Sequence, residues 1–491
     1  MYWETDTHTE RMFAGQCYQS LRASCPEKGQ LFTDPEFSYI NADPDVKWKR
    51  PPELCQNPKF IDSGARSTDI CQGELGDCWL LAAISSLTLH PALLSRVVPE
   101  DQTFCPSGGY CGIFHFKLWR FGEWVDVVVD DKLPTKGGRL LYTKSDTRGE
   151  MWSTLLEKAY AKVCGGYSAL QGGAIPEALE DFTGGVAESV NVTRQSVEEI
   201  WELVNQSEGD KALMGCYIEV SEPNDIGRIN DKGLVLGHAY SVIGAKKVQS
   251  RLGEVLLLHL RNPWGFTEYK GAWSDRSLDW ETVSEKERKE LNVQKEDGEF
   301  WMLCKDFCNI FTLLVLCRIN LDSSCWSVTN LSGRWESGVS AGGGRRLKSF
   351  FNNPQFRLHI DEVSSPDQKV DPAQGEETYT AQEEDGIKGR QILLQLLQTD
   401  PRRDRLHIAC HLYKVPESLS LRPRLDRGFF TRSRPVCDTG DPQNSRGVVL
   451  RTLMNSGEYV IVPSTHNPNE EGTFLIRVYC EKMGCMKEDC K

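Results

Sequence analysis

The spacing of apolar positions changes along the chain, and each change predicts a different element. Asp77 precedes Cys78-Trp79-Leu80-Leu81-Ala82-Ala83-Ile84, a run without β-branching until its last residue, which predicts a buried helix. Beyond Pro91, Ala92-Leu93-Leu94 and Val97-Val98 predict a second helix. Trp124-Val125-Asp126-Val127-Val128-Val129 has the composition of a strand. Residues 151–163, apolar at Leu155, Leu156, Ala159, Tyr160 and Val163, predict an amphipathic helix. Gly184-Gly185 then punctuates the chain as a hinge would. From 186 to 325 strand signals are denser, with 239–248 and 254–261 predicted as neighbouring strands. After Trp326 short alternating segments (356–360, 406–413, 458–462) predict an antiparallel β-sandwich. Residues 362–390 are acidic and poor in apolar side chains, which predicts a long exposed loop, and residues 1–50 show no strong period.

Composition narrows the class. At 491 residues the chain exceeds one core, and its length suggests roughly three domains. Hydrophobic content of 39% with 13 Trp supports globular folding rather than disorder. A formal charge of -13 argues against nucleic acid as a partner, because phosphate binding needs a basic surface. Eighteen cysteines would suit a disulfide-rich secreted protein, but Met1 to Glu10 offers neither a basic start nor an apolar stretch. The cysteines are also irregularly spaced, so reduced thiols and a cytoplasmic location are expected. The apolar runs near 78–89 and 307–319 are too short to span a membrane.

Three stretches carry chemistry. In Gln72-Gly73-Glu74-Leu75-Gly76-Asp77-Cys78-Trp79, the cysteine opens an apolar helix, where free backbone N–H groups favour a thiolate. Gln72 can fold back beside the sulfur and donate to an oxyanion with the Cys78 N–H. His238 lies between Gly237 and Ala239 at the mouth of a predicted strand, with small neighbours that leave the imidazole approachable. Asn262 ends another strand ahead of Pro263-Trp264-Gly265, and its amide oxygen can orient an imidazole. Taken singly, each has a plain structural reading: a buried cysteine, a core histidine, a turn.

Together the blocks Gln-Gly-x-x-Gly-Asp-Cys-Trp, Gly-His-Ala-Tyr-Ser and Arg-Asn-Pro-Trp-Gly, in this order, resemble the calpain family. Segments 155–162, 181–185, 297–301 and 333–356 continue the likeness, which runs from about residue 17 to about 482. The resemblance implies an α+β fold: a two-lobed papain-like calpain protease core followed by a C2-like antiparallel β-sandwich. Its expected divisions are an N-terminal segment 1–16, lobe one at 17–184, lobe two at 185–325, the sandwich at 326–485 and a tail at 486–491. It implies a calcium-dependent cysteine endopeptidase acting on protein substrates, with Cys78 as nucleophile, His238 as base, Asn262 orienting it and Gln72 at the oxyanion. It further implies about two calcium ions in the core, since calcium selects carboxylate and carbonyl oxygens. The matching positions are Asp69 and Glu150 with backbone oxygens of Asp62 and Gly64 in lobe one. In lobe two they are Glu268, Asp275, Asp297 and Glu299 with a backbone oxygen near Lys295. Trp79 is expected beside the nucleophile, Trp264 as a wedge between the lobes, and Gly184 at the hinge.

The acidic loop (Asp367, Asp371, Glu376, Glu377, Glu383, Glu384, Asp385) sits where the family's sandwich carries one; calcium, lipid through calcium, or basic core surfaces are its alternative partners. A move to membranes when calcium rises stays open on this reading. No EF-hand signature is present, so a small regulatory subunit is not expected. The rival reading is a catalytically silent relative that binds calcium, membrane or cytoskeletal partners. The presence of Cys, His, Asn and Gln favours the enzyme.

Overall fold

The helix Cys78–Leu87 is buried at every position after its first residue, and around it the larger of the two main hydrophobic cores of the N-terminal half is built. Leu80, Leu81, Ala82, Ala83 and Ile84 are wholly inaccessible. Burying a leucine or isoleucine of this kind contributes roughly 1.5–3 kcal/mol. The structure, a computed structural model, describes residues 11–28, 30–39, 43–319, 325–361, 389–401 and 404–482. Contacts divide the chain into two units, Met1–Asn320 and Leu321–Lys491. The first unit mixes helices with antiparallel sheets, as an α+β fold does.

In the first unit, strands β1 (Ile113–Arg120) and β2 (Glu123–Asp130) form a hairpin, with Arg11–Met12 added in parallel at the far edge of β2. Phe114, Phe116, Val127 and Val129 from this hairpin enter the core of the Cys78 helix. The helix Trp152–Cys164 joins the same core, but it is not amphipathic in its setting. Glu157 and Lys158 are wholly buried, and Lys162 nearly so. Lys158 pairs with Asp130 and donates to Lys132 O at 2.6 Å, while Lys162 donates to Asp34 at 2.6 Å. The face that reads as solvated is therefore packed against neighbouring segments and neutralised by buried acids. The helix Tyr18–Lys28 carries no clear apolar stripe, and the sequence pattern gave no sign of it.

The second core lies against a six-stranded antiparallel sheet. Its strands are β3 (Val186–Asn191), β4 (Leu213–Tyr217), β5 (Ala239–Ser250), β6 (Gly253–Arg261), β7 (Glu299–Leu303) and β8 (Leu313–Arg318), in spatial order β7-β6-β5-β4-β8-β3. The helix Val197–Gly209 covers it, opened by a capping box in which Ser196 and Glu199 serve each other's backbone N–H. Gly184, at φ 69°, caps the helix Ile175–Thr183 and turns the chain into β3. A side chain on Gly185 would lie 2.4 Å from Arg318 O, so only glycine fits that approach.

The second unit holds two four-stranded antiparallel sheets. Strands β9 (Trp326–Trp335), β10 (Phe356–Ile360), β11 (Arg390–Gln398), β12 (Ile408–Lys414), β13 (Cys437–Asp438), β14 (Gly447–Met454), β15 (Gly457–Thr465) and β16 (Gly472–Glu481) pair in the orders β9-β16-β11-β14 and β10-β15-β12-β13. Alternate residues of both sheets, such as Ile392, Leu394 and Leu396 with Ile408, Cys410 and Leu412, fill one shared core. Of the acidic segment 362–390, all but its last two residues, and with them all seven of its named acids, lie outside the described residues.

Candidate active site

Antiparallel register assembles the histidine and the asparagine. Ser241 of β5 pairs with Arg261 of β6, so His238, just ahead of β5, stands beside Asn262, just past the end of β6. Asn262 Oδ1 lies 2.8 Å from His238 Nε2 and accepts the Trp264 backbone N–H at 3.1 Å. Its amide nitrogen donates to Phe266 O and Thr267 O, at 3.2 and 2.8 Å. Asn262 is wholly buried and saturated, so its oxygen has one orientation to offer. Trp264 rests its ring 5.1 Å from the imidazole, and Tyr240 meets the imidazole edge-on at the same separation.

The Cys78 helix supplies the thiol. Its side chain faces the backbone N–H of Ala239, the residue after His238, so nucleophile and base candidates come from opposite cores and meet at one place. Burial pushes the Cys78 thiol up to about 11, against the opposing pull of the Ala239 N–H. Burial likewise pushes the His238 imidazole down to about 4, opposed by its bond to Asn262. The sequence suggested a depressed thiol pKa at this helix terminus; in this arrangement desolvation outweighs the helix amides. The His238 ring is hydrogen-bonded to Asn262, and no hydrogen bond joins it to Cys78 among the described residues.

Gln72 also reaches the site. Its backbone N–H donates to Pro263 O at 3.0 Å, tying it to the asparagine loop. Its side-chain nitrogen donates to Leu75 O at 2.6 Å, leaving the second amide hydrogen available. The side-chain oxygen is buried without a donor. Trp79 is 2% exposed, donates to Leu170 O at 3.1 Å and packs edge-on to Tyr160, so its position is explained by the core. A cavity of about 1020 Å³ in the first core, lined by Phe60, Leu94, Val98, Phe104 and Tyr110, includes none of Cys78, His238 or Asn262.

The acids named from the sequence gather into two clusters. In the first, Glu150 accepts the Asp62 backbone N–H at 2.7 Å and the Ser145 hydroxyl at 2.7 Å, while the same hydroxyl lies 3.4 Å from Asp69. Asp69 also accepts the Arg66 N–H and the Trp152 indole, and Gly64 turns the adjoining loop at φ 95°. In the second, Glu268 accepts Gly298 N–H, Asp275 accepts Lys295 N–H, and Asp297 accepts Glu299 N–H. Glu299 accepts the Ser67 hydroxyl at 2.7 Å, joining the two clusters' segments. Burial first, and then neighbouring carboxylates, push Glu150 and Glu268 up to about 7 and Asp275 up to about 6. Among the described residues, no three His, Cys, Asp or Glu side chains close into a ready metal-ligating group. Crowded acids with raised pKa nonetheless fit a hard cation that also takes backbone oxygens.

Sequence reasoning passed over a pair of acids next to the thiol's helix terminus: Asp77, the residue before Cys78, and Glu157, which faces it. Asp77 and Glu157 are both wholly buried, and their carboxyl groups face one another. The only sign in the sequence was an acid immediately before the cysteine and another in the helix read as amphipathic.

By class, the chain is related to cysteine proteases: residues 25–318 match the calpain family cysteine protease domain, and 331–479 match domain III of the calpain large subunit. It is 43% identical to the calpain-1 catalytic subunit of Mus musculus over 97% of this chain and 68% of that protein. The Homo sapiens calpain-1 catalytic subunit is 44% identical over 96% of this chain and 67% of its own length. The calpain-2 catalytic subunit of Bos taurus is 42% identical, covering 96% of this chain and 68% of that protein. The chain belongs to the calpain family.

Proposed function

We propose that this protein is a calcium-regulated cysteine endopeptidase performing limited proteolysis of protein substrates. The observation that carries the proposal is that Cys78, at the head of a buried helix, sets its thiol against the N–H of Ala239, the residue after His238 in the hydrogen-bonded His238–Asn262 pair. Cys78 is the nucleophile that attacks the scissile carbonyl carbon, and His238 takes its proton and returns it to the leaving amine. Asn262 holds the imidazole by accepting from Nε2, which leaves Nδ1 for the thiol. The free amide hydrogen of Gln72 and the Cys78 backbone N–H receive the developing oxyanion. Water then releases the acyl group from sulfur.

The neutral thiol and neutral imidazole describe a resting site, and the productive pair requires the ring to turn or approach. Lobes 17–184 and 185–325 supply that movement, with Gly184 at their junction and Trp264 against the imidazole as the side chain that yields. About two calcium ions fit the two acid clusters. Asp69 and Glu150 with backbone oxygens of Asp62 and Gly64 hold the first; Glu268, Asp275, Asp297 and Glu299 with an oxygen near Lys295 hold the second. Calcium supplies the positive charge that lets these crowded carboxylates ionise together. Residues 326–485 form a C2-like sandwich, on the support of two four-stranded sheets around one core.

The test is hydrolysis of casein or a fluorogenic peptide by the full chain, titrated with calcium and repeated after an irreversible thiol blocker. Activity should rise with calcium and vanish with the blocker. A folded, reduced sample silent at saturating calcium would favour the silent relative instead.

A further inference from the structure

Asp77 is the residue before Cys78 and stands at the N-cap of its helix, yet its side chain makes no capping bond. Its backbone carbonyl does that work, accepting Leu80 and Leu81 N–H at 2.8 and 3.1 Å. The carboxyl points inward, wholly buried, and neither oxygen meets an N–H or O–H donor. What it faces is the carboxyl of Glu157 on the helix Trp152–Cys164. Glu157 is differently placed: it accepts the Thr143 hydroxyl at 2.6 Å and the Thr143 N–H at 3.2 and 3.3 Å.

Among the described residues, no cation pairs with either acid. Lys158, the next residue along, sends its ammonium to Asp130 and Lys132 O instead. The other titratable group that senses both acids is Tyr167, whose hydroxyl is buried without a partner and whose ionisation both acids oppose. Two ionised carboxylates cannot share a dry site without a counter-charge, so at least one proton must stay. Thr143 stabilises charge on Glu157 through its hydroxyl and its N–H, whereas only Asp77's own backbone N–H opposes the rise of the Asp77 carboxyl. Burial, and then the charge of Glu157, accordingly hold the Asp77 carboxyl well above the usual range.

We propose that Asp77 and Glu157 share one proton, held on Asp77 and donated to Glu157, and that Asp77 so neutralised is a positioning residue for the Cys78 thiolate. A charged Asp77 would oppose negative charge on the adjacent sulfur, at the helix terminus whose amides favour it. A neutral Asp77 leaves those amides unopposed. The inference rests on Cys78 as nucleophile for its importance, though not for its test.

The pair predicts opposite behaviour from two isosteric substitutions. In Glu157→Gln the amide can donate to Asp77, which then ionises and raises the titration of the Cys78 thiol by about one pH unit. The reading is the pH dependence of iodoacetamide alkylation of Cys78 in the full chain with calcium, quantified on the Cys78 peptide by mass spectrometry. Alkylation and peptide cleavage at pH 7 should both fall about tenfold. Asp77→Asn, a permanent neutral donor to Glu157, should leave the thiol titration in place and restore it in the Asp77→Asn/Glu157→Gln double variant. In the calcium-loaded protein at pH 7 the infrared difference between the unaltered protein and Asp77→Asn should contain the carbonyl band of one buried protonated acid, which decides the matter even if Glu157→Gln fails to fold. A thiol titration about one unit lower in Asp77→Asn, or an infrared band unchanged by it, would mean that Asp77 is already charged and would overturn the proposal. Alkylation reports the thiol whether or not Cys78 cleaves peptides, so failure here is separable from activity surviving in Cys78→Ser.

Discussion

Calcium binding to this chain should release protons, and the number released should depend steeply on pH. Glu150 and Glu268 are pushed up to about 7, and Asp275 to about 6, first by burial and then by the carboxylates around them. At pH 6 the two glutamates are about nine-tenths protonated and the aspartate about half, so ionising them for calcium displaces roughly two protons per chain. At pH 8.5 the number falls to about zero. Calcium affinity should therefore strengthen with pH up to about 7 and then level off. The same groups act on stability with a definite sign. Their folded pKa values lie above ordinary carboxyl values, so the stability they give the calcium-free protein is full at acid pH and is lost as pH rises through 6 to 7. Calcium should raise the melting temperature more at pH 8 than at pH 5.5. Isothermal titration calorimetry in buffers of different ionisation enthalpy counts the protons directly. A pH-independent affinity with no proton release at pH 6 would show these carboxylates already ionised in the free protein, and the reasoning from burial and crowding would be refuted.

Other outcomes follow from single residues. Cys78→Ser should abolish peptide cleavage while the calorimetric calcium titration stays as in the unaltered chain; substantial cleavage by a pure sample would contradict the nucleophile. Asn262→Ala frees the imidazole and should lower kcat on the order of 100-fold with little change in KM, measured on a fluorogenic peptide. Lys158→Met leaves Asp130 buried with its cation removed and should cost about 3–5 kcal/mol in urea unfolding followed by tryptophan fluorescence. Gly184→Ala places a side chain 3.0 Å from the Trp119 ring at positive φ, so the same assay should show a loss of about 1 kcal/mol or more.

Legibility in the sequence followed the physics of each signal. The Cys78 helix was readable because its apolar run is continuous, and β2, β5 and β6 because their apolar residues are β-branched or alternate. The triad candidates were readable from motif blocks, but their meeting was not, because it depends on the register of Arg261 against Ser241. The helix Trp152–Cys164 misled: charged residues at 157, 158 and 162 look solvated in a linear pattern, whereas Asp34 and Asp130, more than twenty residues away, bury the two lysines. The Asp77–Glu157 pair was invisible for the same reason. A buried acid differs from a surface acid only in what long-range packing brings against it.

The placement of the acid clusters bears on how a cation site could govern a triad. Asp69 lies two residues before Cys71, whose neighbour Gln72 donates its backbone N–H to Pro263 O at 3.0 Å. On the other side, Gly298, between Asp297 and Glu299, accepts the Asn262 N–H at 2.8 Å. Thr267, adjoining Glu268, accepts the Asn262 side chain at 2.8 Å. Each cluster is thus one hydrogen bond from the loop that orients His238, and Ser67–Glu299 ties the clusters to each other. On the proposed function, ordering either cluster would restrict the Asn262 loop, and the imidazole would turn toward Cys78 only as far as Asn262 lets it. Changing Ser67 to Ala should consequently weaken the coupling between the two clusters, seen as a shallower calcium activation curve of peptide cleavage with the same plateau. A curve of unchanged steepness would mean that the clusters act on the site separately.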